Sequence, residues 1–223
     1  NDWYNHAVAV TFQGTDGTSG VASCTGTTYA GPDDPSVALS GTCVDRAGNP
    51  SNAALATFKY DETAPQASAT VSRGADVNGW YNHPLAVSFA GDDATSGLES
   101  CDAPKTYAGP DSATASVAGS CTDRAGNTTP RSVALRYDAT APQTTTSPSR
   151  QANGNGWYNA ALSVSFAGTD ATSGNTSCSA PKSYAGPDNA SATLAGSCMD
   201  NAGNTASASF PLKYDATPPQ ASA

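Results

Sequence analysis

Gly79-Trp80-Tyr81-Asn82-His83-Pro84-Leu85-Ala86-Val87-Ser88-Phe89 is the stretch on which the fold turns. Leu85, Val87 and Phe89 stand two apart, with the small residues Ala86 and Ser88 between them. That alternation is the mark of a β-strand with one buried face. Val8, Val10, Phe12 and Leu162, Val164, Phe166 repeat it. Trp3, Trp80 and Trp157 are spaced 77 residues apart, as are Cys24, Cys101, Cys178 and Tyr60, Tyr137, Tyr214. The chain is therefore three copies of one unit, and such an array works through its length and surface more often than through one pocket.

The second copy shows the unit in full. After its first strand comes the loop Gly91-Asp92-Asp93-Ala94-Thr95-Ser96-Gly97, then a short segment to Cys101. Tyr107-Ala108-Gly109-Pro110-Asp111 reads as a turn. Ala115, Val117, Gly119 and Cys121 share one face of the next strand, so the cysteine points inward. Asp123-Arg124-Ala125-Gly126-Asn127 suits a tight hairpin, with Gly in a left-handed position. A last strand buries Val133, Leu135 and Tyr137; Pro211 lies in its third-copy counterpart and predicts a sheet edge there, because proline cannot donate to a ladder. Lead-in segments, Ala67–Arg73 and Thr144–Arg150, supply a further strand to copies two and three. No 3.6-residue apolar pattern persists long enough for a helix. The expected fold is all-β: three tandem antiparallel β-sandwich repeats of five to seven strands in an elongated array. Their expected limits are 1–61, 62–138 and 139–215, with 216–223 opening another lead-in.

Composition narrows the partners. The chain of 223 residues carries a net charge of −9, which disfavours nucleic acid and anionic membrane surfaces. No apolar run approaches the ~18–20 residues of a membrane span. With charged residues at only 13%, the surface is largely Ser, Thr, Asn and Gly, as suits an extended extracellular protein.

Six cysteines allow 15 pairings. The period selects one bridge per copy: Cys24–Cys43, Cys101–Cys121 and Cys178–Cys198. Reduced core cysteines are the plain alternative, and zinc is disfavoured because no C-x-x-C occurs and no histidine lies near the pairs. Disulfides imply an oxidising, extracytoplasmic setting. A unit of this size with so many alanines buries little apolar surface, and a bridge closing a ~20-residue loop adds about 3 kcal/mol.

The strings Gly156-Trp-Tyr-Asn159, Val164-Ser-Phe-Ala-Gly-Thr-Asp-Ala-Thr-Ser-Gly174, Cys121-Thr-Asp-Arg-Ala-Gly-Asn127 and Tyr137-Asp-Ala-Thr-Ala-Pro142 resemble the tandem bacterial immunoglobulin-like repeats of large secreted and cell-surface proteins. The resemblance covers the whole chain. It implies a β-sandwich within a stalk, an adhesin or an accessory region, and it supplies no ligand. All three tryptophans precede both cysteines of their copy, unlike antibody-type domains, so the bridge position of that class is not carried over.

Candidate chemistry is sparse. His6 and His83 share one repeat position, which is Ala160 in the third copy, and read as solvated loop residues. No G-x-S-x-G or H-E-x-x-H string occurs, and no catalytic, cofactor-binding or metal-binding residue is assigned. Four aspartates recur per copy: Asp16, Asp93, Asp170; Asp33, Asp111, Asp188; Asp45, Asp123, Asp200; and Asp61, Asp138, Asp215. Turn-capping is favoured over calcium, because each motif offers only one or two carboxylates. The Trp-Tyr pairs, with Asn5, Asn82 and Asn159, could stack on sugar rings, but packing at the end of a small core is favoured. Sequons at Asn127, Asn175 and Asn189 are weak signals in a Ser/Thr-rich chain.

The expected function is a non-enzymatic structural or adhesive stalk segment at the cell surface, with no cofactor, spacing a terminal module from the cell or building a fibre. Its expected partners are neighbouring repeats. The alternatives are an array binding a glycan or protein, or an accessory region of a secreted enzyme. Copy one lacks a lead-in and residues 217–223 begin one, so the stretch reads as a piece of a longer array. Head-to-tail addition of Gln220-Ala221-Ser222-Ala223 to the open edge of copy one is a further reading, set against an arbitrary cut that leaves the edge solvated.

Overall fold

The structure, a computed structural model, describes residues 2–222 apart from the side chains at 175 and 176. Among the described residues every regular element is a strand. The chain is all-β, built of tandem β-sandwich repeats. It separates into two compact units: residues 1–71, 87–105 and 118–133, and residues 72–86, 106–117 and 134–223.

In the first unit, Trp3–Tyr4 runs parallel to Ala54–Tyr60, which pairs antiparallel with Asp34–Gly41. Val8–Thr11 pairs with Gly26–Tyr29, and Val21–Cys24 with Cys43–Asp45. The lead-in strand Gln66–Val71 lies along the next copy's first strand, with Ala69 opposite Phe89 and Val71 opposite Val87. Its outer edge is covered by side chains: Thr129 Oγ1 donates to the Pro65 carbonyl and Arg131 Nε to the Ala67 carbonyl, both at 2.6 Å. Covering a sheet edge in this way blocks pairing with another chain.

In the second unit, Leu162–Thr169 is flanked by Gln143–Pro148 and Lys182–Tyr184. This sheet faces a four-stranded one ordered Trp157–Tyr158, Thr205–Tyr214, Asn189–Asp200, Asn175–Cys178. The core between them joins Leu162, Val164 and Phe166 to Ala192, Leu194, Ala208, Leu212 and Tyr214. Alternate residues of each strand point inward, as the pleat requires. Pro211 stands opposite Thr193 on one side of its strand. The strand is not the edge strand that Pro211 leads one to expect, since Trp157–Tyr158 lies on its other side, but that short strand reaches only Lys213 and Tyr214 and stops before Pro211.

Two devices make a small core close. A Cβ on Gly119 would come within 2.6 Å of the Phe89 ring, and one on Gly196 within 2.8 Å of Phe166. The glycine is needed because the phenylalanine lies flat against the opposite backbone. The disulfides Cys24–Cys43, Cys101–Cys121 and Cys178–Cys198 join directly opposed residues of neighbouring antiparallel strands. They staple strands within a sheet and do not tie one sheet to the other. Each Gly-Pro turn (Gly31-Pro32, Gly109-Pro110 and Gly186-Pro187) has a cis peptide bond, and its carbonyl accepts from Tyr29, Tyr107 or Tyr184. Those tyrosines stack edge-on against Tyr60, Tyr137 and Tyr214, with ring centres 5.2–5.3 Å apart.

Candidate functional site

The four aspartates of each copy do different work. In the loop after the first strand, Asp93 Oδ1 accepts the backbone N–H groups of Thr95, Ser96 and Gly97 at 2.9–3.2 Å. Asp170 does the same for Thr172, Ser173 and Gly174. Asp16 does so for Thr18, Ser19 and Gly20. The N–H of Gly20, then those of Thr18 and Ser19, hold the exposed Asp16 carboxyl below its ordinary range. In the hairpin, Asp123 accepts from the N–H groups of Gly126 and Asn127 and from Asn127 Nδ2. Asp200 accepts from the Asn204 N–H and Nδ2, and Asp45 from those of Asn49. Asp33, Asp111 and Asp188 reach just past the end of their own copy, binding backbone N–H groups of Glu62, Ala139 and Ala216 and the hydroxyls of Thr63, Thr140 and Thr217.

The copy-end aspartate differs. Asp61 is fully buried, its carboxylate accepting the Thr63 N–H at 3.1 Å and the Ser96 N–H at 3.0 Å. Its backbone carbonyl accepts from Asn127 Nδ2 at 2.9 Å. It is thereby inserted between the loop and the hairpin of the next copy. Asp138 makes the same insertion: Thr140 and Ser173 N–H groups at 3.1 Å, and Asn204 Nδ2 on its carbonyl at 2.8 Å. The Asn that finishes the second and third hairpins thus ties its own Asp to the terminal Asp of the copy before. The joint at Asp138 is completed by Asn78 and Asn82, whose Nδ2 groups donate to the carbonyls of Asn201 and Ala202. A Cβ on Gly203 would lie 2.8 Å from Val77, so the hairpin approaches that closely only as glycine.

Each joint gathers three carboxylates: Asp61, Asp93 and Asp123, and Asp138, Asp170 and Asp200, with oxygens all within 4.8 Å of one another. Two ionised carboxylates at that distance repel by about 3 kcal/mol at an effective dielectric near 20. Burial pushes the Asp61 carboxyl up, and the charge of Asp93 adds to the push against the opposing hydrogen bonds of Ser96. Burial likewise raises Asp138, with Asp170 and Asp200 adding to it. Burial pushes Asp170 up, but the N–H groups of Thr172, Ser173 and Gly174 outweigh it and hold the carboxyl below the ordinary range. Among the described residues these two trios are the acidic groupings close enough to hold a cation, and no nitrogen or sulfur ligand joins them. An acidic trio of this kind does not by itself define a metal site.

The loop and hairpin aspartates cap turns, as the sequence suggests, whereas Asp33, Asp111 and Asp188 bind groups far along the chain, and the convergence of three aspartates at each joint is new. The 77-residue period shows that they recur and cannot show that they meet. His6 and His83 are exposed, beside Asn5 and Asp76. Trp80 is 7% exposed. Trp3 and Trp157 are half-buried, with Lys59 Nζ and Lys213 Nζ set 5.6 and 5.9 Å from their ring centres. A lysine over the ring occupies a face that a sugar would need. Asn127 spends its side chain in the joint, Asn189 caps Ser191, and the sequon side chain at 175 lies outside the described residues.

Fold and joints together define an all-β repeat array braced where copies meet. No protein-family model matches the chain, and no curated protein matches it. Among solved structures it is similar to a tetra-tandem repeat in the extending region of a large adhesion protein. The match has 20% identity and a TM-score of 0.30, over 97% of this chain and 69% of that one.

Proposed function

We propose that the chain is a non-enzymatic structural segment of an extracellular surface protein, working as a spacer with copies at 1–61, 62–138 and 139–215 and a further lead-in from 216. The observation that carries this reading is the burial of Asp61 and Asp138. The first and second copies each end on a residue that is solvated by the body of the next, so a joint transmits load from copy to copy through hydrogen bonds and not through a slack linker. The disulfides support an oxidising, cell-surface setting. Neighbouring repeats are the partners this reading requires.

Single-molecule pulling of the intact chain tests it. Three unfolding events are expected, one per copy. Each bridge, spanning 19 or 20 residues, withholds that length until reduction. Reductant should therefore lengthen each event by about 70 Å. One all-or-none event, or specific capture of a glycan on an array, would replace the spacer with a single domain or a binding module.

A further inference from the structure

We propose that the second joint is a proton-operated clasp: Asp138, at the end of one copy, and Asp170, in the loop of the next, share one proton, and the joint tightens on mild acidification. The clasp rests on reading the joints as braces.

Asp138 is 0% exposed and Asp170 is partly buried. Two acidic groups face Asp138: Asp170 from the loop after Leu162–Thr169, and Asp200 from the end of Asn189–Asp200. Asp111, before the strand Ser112–Asp123, binds the neighbouring Ala139 and Thr140. The other groups in the joint, Ser173, Asn201 and Asn204, are neutral. Arg73, whose field reaches the adjacent Tyr137, is paired with Asp76 at 2.8 Å. The first joint is not identical, because Arg124 lies beside Gly97 where the second joint has Asn201 beside Gly174. The three carboxylates, with oxygens within 4.8 Å of one another, lower their mutual repulsion by keeping one proton. Asp170 is the acceptor, since three backbone N–H groups already favour its charged form. Asp138 is the group that keeps the proton, because burial raises it.

The sign follows from linkage. Asp138 holds its proton more tightly folded than unfolded, so folding takes up a proton between the ordinary carboxylate value and the raised one. The stability it contributes is fully present below the ordinary value and is lost as pH rises through the raised value. Asp188, held low chiefly by the Thr217 hydroxyl, acts in a different window: its contribution is lost only as pH falls below the ordinary value.

The test is 13C-carboxyl NMR and thermal unfolding of the intact chain in chelator, from about pH 7.5 to about pH 4.5, above the range where Asp188 intervenes. Two carboxyls, those of Asp61 and Asp138, should titrate above the rest. Asp138→Asn should remove one of them, raise the neutral-pH melting temperature by roughly 2–4 °C, and flatten its rise on acidification. Asp170→Asn, which removes the charged neighbour, should move the Asp138 titration down and so tests the clasp even where the first variant does not fold. The proposal fails if no carboxyl titrates high, or if Asp138→Asn folds yet melts below the parent chain at neutral pH. It also fails if millimolar calcium at neutral pH stabilises as acid does, since a cation and not a proton would then hold the joint. The carboxyl titration is read whether or not pulling supports the spacer.

Discussion

Gly119 and Asn204 show what single residues decide in this protein. Gly119 lies under the Phe89 ring at a distance no Cβ tolerates. Gly119→Ala should therefore destabilise the second copy by about 1–3 kcal/mol through overpacking, measured by denaturant unfolding. Asn204 satisfies both the Asp200 carboxylate and the Asp138 carbonyl. Asn204→Ala should cost about 1–3 kcal/mol by removing the amide donor to a buried carbonyl and a buried carboxylate. The exposed Asn49, bonded to Asp45 in the first copy, is the control: Asn49→Ala should cost less in the same melt. Hairpin formation is legible at this scale, because Asp-x-Ala-Gly-Asn carries its own turn chemistry. The second use of the asparagine, on a carbonyl 66 residues away, is not legible. Nothing local in a sequence distinguishes a carbonyl that needs a donor from one that faces water.

At the scale of elements, the alternation of Leu85, Val87 and Phe89 announces a half-buried strand, and all three are buried. The lead-in strands are readable for the same reason, Gln66–Val71 alternating between exposed and half-buried residues. What alternation leaves open is which strands are neighbours. The position of each disulfide between adjacent strands, and the placing of Arg131 on the edge of the lead-in, belong to pairing and not to pattern. Reduction should show the energetic weight of the bridges. Each closes a short loop in a small unit, so a loss of about 3 kcal/mol is expected, lowering the melting temperature by roughly 10–20 °C. An unchanged melting curve after complete reduction would show that the cross-strand staples are dispensable.

At the scale of the whole molecule, the period makes the array visible at once, while the trios at the joints stay hidden. Asp61, Asp93 and Asp123 come from one copy's end and two separate loops of the next, and only folding brings them together. The joints share one construction, with Asp61 and Asp138, Asn127 and Asn204, and Ser96 and Ser173 in matching places, and differ where Arg124 stands in one and Asn201 in the other. Every copy therefore carries one half of a connector at each end, a closing aspartate behind and a receiving loop and hairpin in front. Such parts are interchangeable. Under the proposed spacer role, a gene that gained or lost a whole copy would carry both halves of a connector with it, so the number of copies could change while each junction kept its parts.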